Sequence, residues 1–140
     1  MKSLAALVSG AVFVAAIALA AEPNGETEVD FIRPFPIVAV PVDASDAHKA
    51  AAKAVADAIG PGIFSELKTN PVCCVWLEIN GWMPNPGEPG YVIINQAGGS
   101  IISASNEEQL RAAVERFKAS IRKNGDQVEV PAGLLTSYKP

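Results

Sequence analysis

Cys73 and Cys74 are the two cysteines of the chain, and they are adjacent. A vicinal pair is a candidate redox or switch disulfide. Consecutive Cα atoms lie about 3.8 Å apart, below the usual disulfide range of about 4.4–6.8 Å. A bridge would therefore be strained. On a regular strand the two side chains would also point to opposite faces. The reading carried forward is two small buried or half-buried side chains, with redox use of Cys73 and Cys74 as the alternative.

His48 is the single histidine. No second histidine or cysteine stands at metal-ligand spacing from it, and no metalloprotease or paired-cysteine motif is present, so no metal site is expected. A hydrolytic triad would have to recruit His48, yet no G-x-S-x-G elbow supplies a nucleophile. His48 is expected on the solvent side of a helix. Glu107 and Glu108 are the one close carboxylate pair; in a helical first turn they complement the dipole and complete a cap rather than flank a glycosidic bond. Glu78 is read as a solvated or partner-facing carboxylate. Gly98-Gly99 lies in a hairpin turn and lacks the helix N-terminus of a phosphate cradle. Arg111, Arg116, Lys118, Arg122 and Lys123 read as a solvated face toward a helix C-terminus. No catalytic residue and no cofactor is assigned.

The loop 81–90 is the best candidate for binding. Trp82 and Met83 are costly to expose, yet they sit among Pro, Asn and Gly. Two roles fit Trp82. It would stack on a sugar ring or anchor a partner, or it would fold back as a lid on the sheet.

These residues need elements to position them. Val29 to Ile32 reads as a short strand, broken by Arg33-Pro34-Phe35-Pro36. Ile37 to Val42 is β-rich, with Pro41 marking an edge or an end. Asp43 to Asp46 is an N-cap cluster. Behind it Ala47, Ala50, Ala51, Ala54, Val55, Ala58 and Ile59 form one helical stripe, stopped by Gly60-Pro61-Gly62. Residues 63–71 read as a connection. Val72 to Asn80 is a strand whose set Cys73, Val75, Leu77 and Ile79 should face the helices. Tyr91 to Asn95 and Ser100 to Ala104 should pair as a hairpin. Ser105 with Glu108 forms a capping box for a helix carrying Leu110, Ala113, Val114, Phe117 and Ile121, ended by Asn124-Gly125. Val128 to Val130 is a closing strand.

The order β-α-β-β-β-α-β predicts an α/β (α+β) fold, a small mixed sheet with two helices on one face. The opposite face is expected to show Cys74, Trp76, Tyr91, Ile93 and Ile101. That set is too apolar to be left in water. Either the segment with Phe31 and Phe35 covers it or a partner does. Trp82, Met83, Trp76 and Tyr91 are thus the binding candidates.

Targeting signals precede all of this. Lys2 supplies a positive start, Leu4 to Leu19 is an apolar run, and Ala18-Leu19-Ala20 is a small-x-small cleavage site. Residues 1–20 are expected to be a signal peptide, 21–28 a disordered leader and 29–140 one α/β domain. The alternative is an uncleaved anchor. The chain carries 11 Lys and Arg against 15 Asp and Glu, a net −4. That balance argues against nucleic acid and gives no reason to expect an anionic membrane surface. No second apolar run would hold the chain in a membrane after cleavage. A periplasmic or secreted location with a glycan or protein partner outside the cytoplasm is the expectation.

The unit Ile37 to Ile59 resembles the opening of the non-catalytic α/β domain that precedes the barrel in β-hexosaminidases and α-glucuronidases. So does Pro89 to Phe117, where a Gly-Tyr-x-Ile strand turns through glycines into an Ile-rich strand and then a helix. Val130 to Pro140 is similar to the segment leading into the barrel. The resemblance implies a mixed sheet with two helices on one side. The catalytic acids of those enzymes reside in a barrel of about 250 residues, so no catalytic residue carries over. Together with the export signals, the expectation is an exported, non-catalytic interaction or accessory module, carbohydrate-associated. A thiol-redox protein and a small inhibitor or propeptide-like protein are the alternatives.

Overall fold

The computed structural model describes residues 30–60, 62–81 and 83–139. The expected signal peptide and leader lie outside the described residues, as does Trp82. Apart from Asp30, the described residues belong to the compact unit Phe31–Pro140.

In chain order the elements are β1 (Phe31–Ile32), β2 (Ile37–Pro41), α1 (Asp46–Ile59), β3 (Ile63–Leu67), β4 (Val75–Ile79), β5 (Tyr91–Gln96), β6 (Gly99–Ala104), α2 (Glu107–Ser120), β7 (Arg122–Asn124), β8 (Gln127–Pro131) and β9 (Gly133–Thr136). Six strands form a mixed sheet in the order β3-β2-β4-β6-β5-β9. The first four are mutually parallel, and β5 runs antiparallel to both of its neighbours. A separate antiparallel sheet has the order β1-β8-β7. Both helices cover one face of the large sheet, as the expected α/β class requires.

The helix-facing layer follows the side-chain alternation of each strand. Val38, Val40, Val75, Leu77, Ile93 and Ile102 are buried there against Ala51, Ala52, Val55, Leu110, Val114 and Phe117. The expected set Val75, Leu77 and Ile79 does face the helices. Cys73 does not: β4 begins only at Val75, and Cys73 is exposed.

Several elements depart from the sequence reading. Residues 63–67 are a strand, not a connection. β3 is an edge strand, so its face pattern is weak. Ile63 is 57% exposed, and Glu66 on the helix side meets Lys49 at 3.6 Å. The cap of α2 is Asn106, whose Oδ1 accepts from the Gln109 amide at 2.8 Å. Ser105 is withdrawn from capping because its Oγ accepts from the Gly90 amide at 3.0 Å. The same helix ends at Ser120, and Ile121 turns extended while still packing on the core. Asn124-Gly125 therefore closes no helix. Gly125-Asp126 is the two-residue turn of the β7–β8 hairpin, with φ +66° at Gly125, the left-handed geometry a tight hairpin favours. Arg122 and Lys123 consequently lie on β7. Arg122 donates to Glu129 Oε1 at 2.7 Å and lies 3.6 Å from the Phe31 ring centroid.

His48 is the largest correction. It is 5% exposed, not on the solvent side. Helix α1 is capped by Ser45 Oγ, which accepts from the His48 amide at 3.1 Å. The imidazole Nε2 meets the Leu77 carbonyl oxygen at 2.9 Å. A carbonyl only accepts, so Nε2 carries the proton. The β2–β4 ladder runs only from Val38↔Val75 to Ala39↔Trp76, and Leu77 lies beyond it. His48 supplies the donor that a buried carbonyl requires. Burial thus rotates α1 toward His48, Ala52 and Ala56. Ala47, Ala50 and Ala54 instead line an open groove of about 430 Å³ with Arg111 and Glu115 of α2.

Candidate functional site

The face of the large sheet opposite the helices is built by register. Across the strands, Ala39 on β2 aligns with Trp76 on β4, Ile101 on β6, Ile94 on β5 and Leu134 on β9. One turn of the pleat further, Glu78 aligns with Ser103, Val92 and Thr136. Ile94 and Ile101 are half-buried, and Leu134 is 61% exposed. Cys74, Trp76 and Ala39 form a second, smaller apolar cluster with Leu67 against it.

Tyr91 and Ile93 belong to the other face. Gln96 pairs with Gly99, so Tyr91 aligns with Ala104 and Ile93 with Ile102, both in the main core. A two-residue turn at Ala97-Gly98 sets this parity. The expected placement of Tyr91 and Ile93 opposite the helices is corrected on that ground. The Phe31 segment does not cover the face either. Strand β1 pairs with β8, and Ile32 packs with Val128 and Val130 on the main core.

Trp76 is 5% exposed, and its Nε1 donates to Glu78 Oε1 at 3.0 Å. Glu78 is therefore the partner of an indole rather than a freely solvated carboxylate. Its carboxylate folds over Gly81, where an added Cβ would overlap it. That close approach requires glycine at 81 while Glu78 holds the indole.

The loop that follows is shaped by its own sequence. Glu88 N donates to Asn85 O at 3.1 Å, and Gly87 has φ +90°. Pro86 and Gly87 thus occupy the central positions of a type II turn. Met83 is half-buried, with its Sδ 3.5 Å from Ser103 Oγ. Gly90 and Ser105 hold each other through two bonds of 3.0 Å, Gly90 N to Ser105 Oγ and Ser105 N to Gly90 O. At the loop's far end, Tyr138 Oη donates to Glu88 O at 2.7 Å. Burial, and then the Glu88 carboxylate, push the Tyr138 hydroxyl above its ordinary value, which keeps it a donor. Sequence reading gave no sign of this contact. A hydroxyl and a carbonyl 50 residues apart leave no local signal.

The structure therefore brings Met83 and Trp76 to the opposite face and separates Tyr91 from them. Cys73 and Cys74 are both free thiols. Cys74 is buried, and its Sγ lies 3.6 Å from Asn70 Oδ1. Burial, and then Cys73, push the Cys74 thiol up, away from the thiolate that redox chemistry uses. In the folded chain a maleimide should label Cys73 and spare Cys74, with denaturant admitting the second label. Intact mass before and after denaturation reads this, and prompt double labelling of the folded chain would refute it.

Among the described residues, no group of three or more His, Cys, Asp or Glu is placed to hold a metal. No helix among them is long and apolar enough to cross a membrane.

No family model matches the chain, and no curated protein matches it. Solved structures do. The β-hexosaminidase of Streptomyces plicatus, solved with the product GlcNAc, aligns with TM-score 0.55 and 18% identity over 76% of this chain and 23% of its own. A β-N-acetylhexosaminidase from Bacteroides fragilis aligns with TM-score 0.54 and 12% identity over 78% of this chain and 21% of its own. An exo-β-N-acetylglucosaminidase from Vibrio harveyi, solved with N-acetylglucosamine, aligns with TM-score 0.54 and 13% identity over 78% and 17%. At these identities the likeness is one of fold. The chain spans about a fifth of the length of each structure it matches. What it shares with these β-hexosaminidases is the fold of that minor α/β portion, as the sequence resemblance implied.

Proposed function

We propose that the chain is an exported accessory module without catalysis of its own, carbohydrate-associated, and that it works through the face opposite the helices and the loop 81–90. The single observation that carries the reading is the fold shared with a minor portion of enzymes that act on N-acetylhexosamines. Export is supported by Lys2, the apolar run Leu4 to Leu19 and the Ala18-Leu19-Ala20 site. The absence of catalysis is supported by His48, the single histidine, being spent on a backbone carbonyl. The partner is a glycan or a protein outside the cytoplasm. The thiol-redox alternative has less support, since Cys74 is buried and that burial pushes its thiol up, away from the thiolate.

An array of N-acetylhexosamine oligosaccharides, probed with the wild-type chain and with Trp82→Ala, tests the reading. The expected result is binding that the substitution weakens, with no sugar released. Failure to bind any glycan removes the carbohydrate part. Release of free sugar removes the non-catalytic part.

A further inference from the structure

Strand β3 ends one side of the large sheet, and register decides which of its backbone groups face outward. Ile63 N donates to Pro36 O at 2.7 Å, and Leu67 O accepts from Val42 N at 3.1 Å. In the parallel register Ile37↔Ile63 to Pro41↔Leu67, the residues Ile63, Ser65 and Leu67 therefore spend their backbone groups on β2. The amides and carbonyls of Phe64 and Glu66, between them, point away from the sheet. No strand among the described residues pairs with them. Such an edge is ordinarily blunted by proline, lysine or a bulge. Ile63 to Leu67 has none of these. Ile63 and its ladder neighbour Ile37 are instead 57% and 36% exposed.

The charges along this edge select one occupant and one register. Lys49, Lys53 and Asp57 recur every fourth residue of α1 and form one stripe. Lys49 meets Glu66 at 3.6 Å, and the Lys53 ammonium lies 5.2 Å from the Phe64 ring centroid. The backbone of Ala56 packs on Gly62, which brings Asp57 to the start of β3. A second β3, laid antiparallel with a dyad at Ser65, pairs Phe64 with the partner's Glu66 and Glu66 with the partner's Phe64. Each pair exchanges two backbone bonds, four in all. The partner's Glu66 then comes to Lys53. On the other face Ile63 meets the partner's Leu67. Moving the dyad to Glu66 sets two carboxylates directly opposite each other. Moving it to Phe64 sets the partner's Glu66 beside Gly62 and Asp57. Like charges oppose both shifts.

We infer that the outer edge of β3 is a dimer contact: a second copy of this chain adds antiparallel across a dyad at Ser65, with Lys53 facing the partner's Glu66, and joins the two large sheets into one. The contact is isologous, the same strand on both copies. Its axis stands perpendicular to the sheet. The helices of both copies therefore lie on one side, and the two faces opposite the helices lie on the other. Two such faces side by side raise the avidity for a repeating ligand. That benefit rests on the proposed function; the pairing itself does not.

Sedimentation equilibrium of the full chain over a concentration series should show monomer and dimer exchanging. Glu66→Pro removes an outward amide and a carboxylate without touching a bond to β2. It should leave a monomer that is still folded by far-UV circular dichroism. Lys53→Glu should weaken the dimer about fivefold to thirtyfold, because each dimer trades two exposed ion pairs for two repulsions. Oxidative cross-linking in a Cys73→Ser background reads the register. Ser65→Cys sits on the dyad in a pair without mutual hydrogen bonds, whose Cα atoms lie about 4.5 Å apart, within disulfide reach. It should give a covalent dimer. Ile63→Cys, across from the partner's Leu67, should not. A monomer at every concentration overturns the inference. So does a dimer that Glu66→Pro leaves at wild-type strength, or one in which Ser65→Cys forms no cross-link. Glycan binding is not read here, so failure of the dimer and failure of the accessory role are separable.

Discussion

Gly99→Ala is expected to cost roughly 3 kcal/mol or more, at the severe end for single substitutions. Two independent penalties coincide at this residue. Its φ is +146°, a region that residues with a Cβ rarely adopt. An added Cβ would also lie 1.7 Å from Val72 O and 3.1 Å from Cys74 O. Both are backbone atoms, so no side-chain rotation relieves the overlap. Cys74 O accepts from Ser100 N at 2.9 Å, and backing it away breaks the start of the β4–β6 ladder. Val72 cannot yield easily, because it already holds a left-handed φ of 75°, an outlier for a β-branched residue. With a total stability of about 5–15 kcal/mol for an ordinary domain, such a loss is visible in any urea titration. Gly98→Ala is the internal control. An added Cβ at 98 meets nothing within 4 Å, so its midpoint should stay within about 0.5 kcal/mol of wild type. Equal midpoints for the two variants would contradict the packing of Gly99 on Val72.

Phe117→Ala should cost about 3–5 kcal/mol, the usual range for emptying an aromatic from a core. Phe117 is fully buried on α2 in the main cluster with Leu110, Val114 and Val130. It is the largest of the fully buried side chains. The helix packs on β5 and β6 and also touches β8, so the cavity would open where the two sheets meet the helix. Urea midpoints with an unchanged slope would identify a pure stability loss. Arg116→Ala, on the exposed face of the same helix, should change little. A Phe117→Ala midpoint no lower than that of Arg116→Ala would place the core elsewhere.

The export signals and the loop residue Trp82 were read from sequence and lie outside the described residues. For the rest, what was legible was local. Both helices were, because a 3.6-residue apolar period and polar caps are properties of neighbouring residues. The helix-facing set Val75, Leu77 and Ile79 was legible because alternation along one strand records one buried face. The turn at Pro86-Gly87 is of the same local kind, because a fixed φ and a positive φ are intrinsic to those residue types.

What the sequence could not announce was settled by competition for partners. Ser105 looked like a cap, but Gly90 takes its hydroxyl, and Asn106 caps the helix instead. His48 looked like a surface residue until the β2–β4 ladder stopped short of Leu77 and left a carbonyl in need of a donor. Tyr91 changed faces through the register of one two-residue turn. β3 exists because β2 offers its edge, not because Ile63 to Leu67 alternates well.

The sequence by itself determined the α/β class, the two helices and the Pro- and Gly-rich composition of residues 81–90, since each is written in residues close along the chain. Only the tertiary structure decided that Met83 lies against Ser103, that Trp76 is held by Glu78, and that Tyr138 donates to the Glu88 carbonyl. Trp76 and Glu78 are neighbours on one face of β4, whereas Met83 with Ser103 and Glu88 with Tyr138 join segments that the chain visits far apart. Their free energy comes from buried hydrogen bonds and packing that exist only once the sheet has formed.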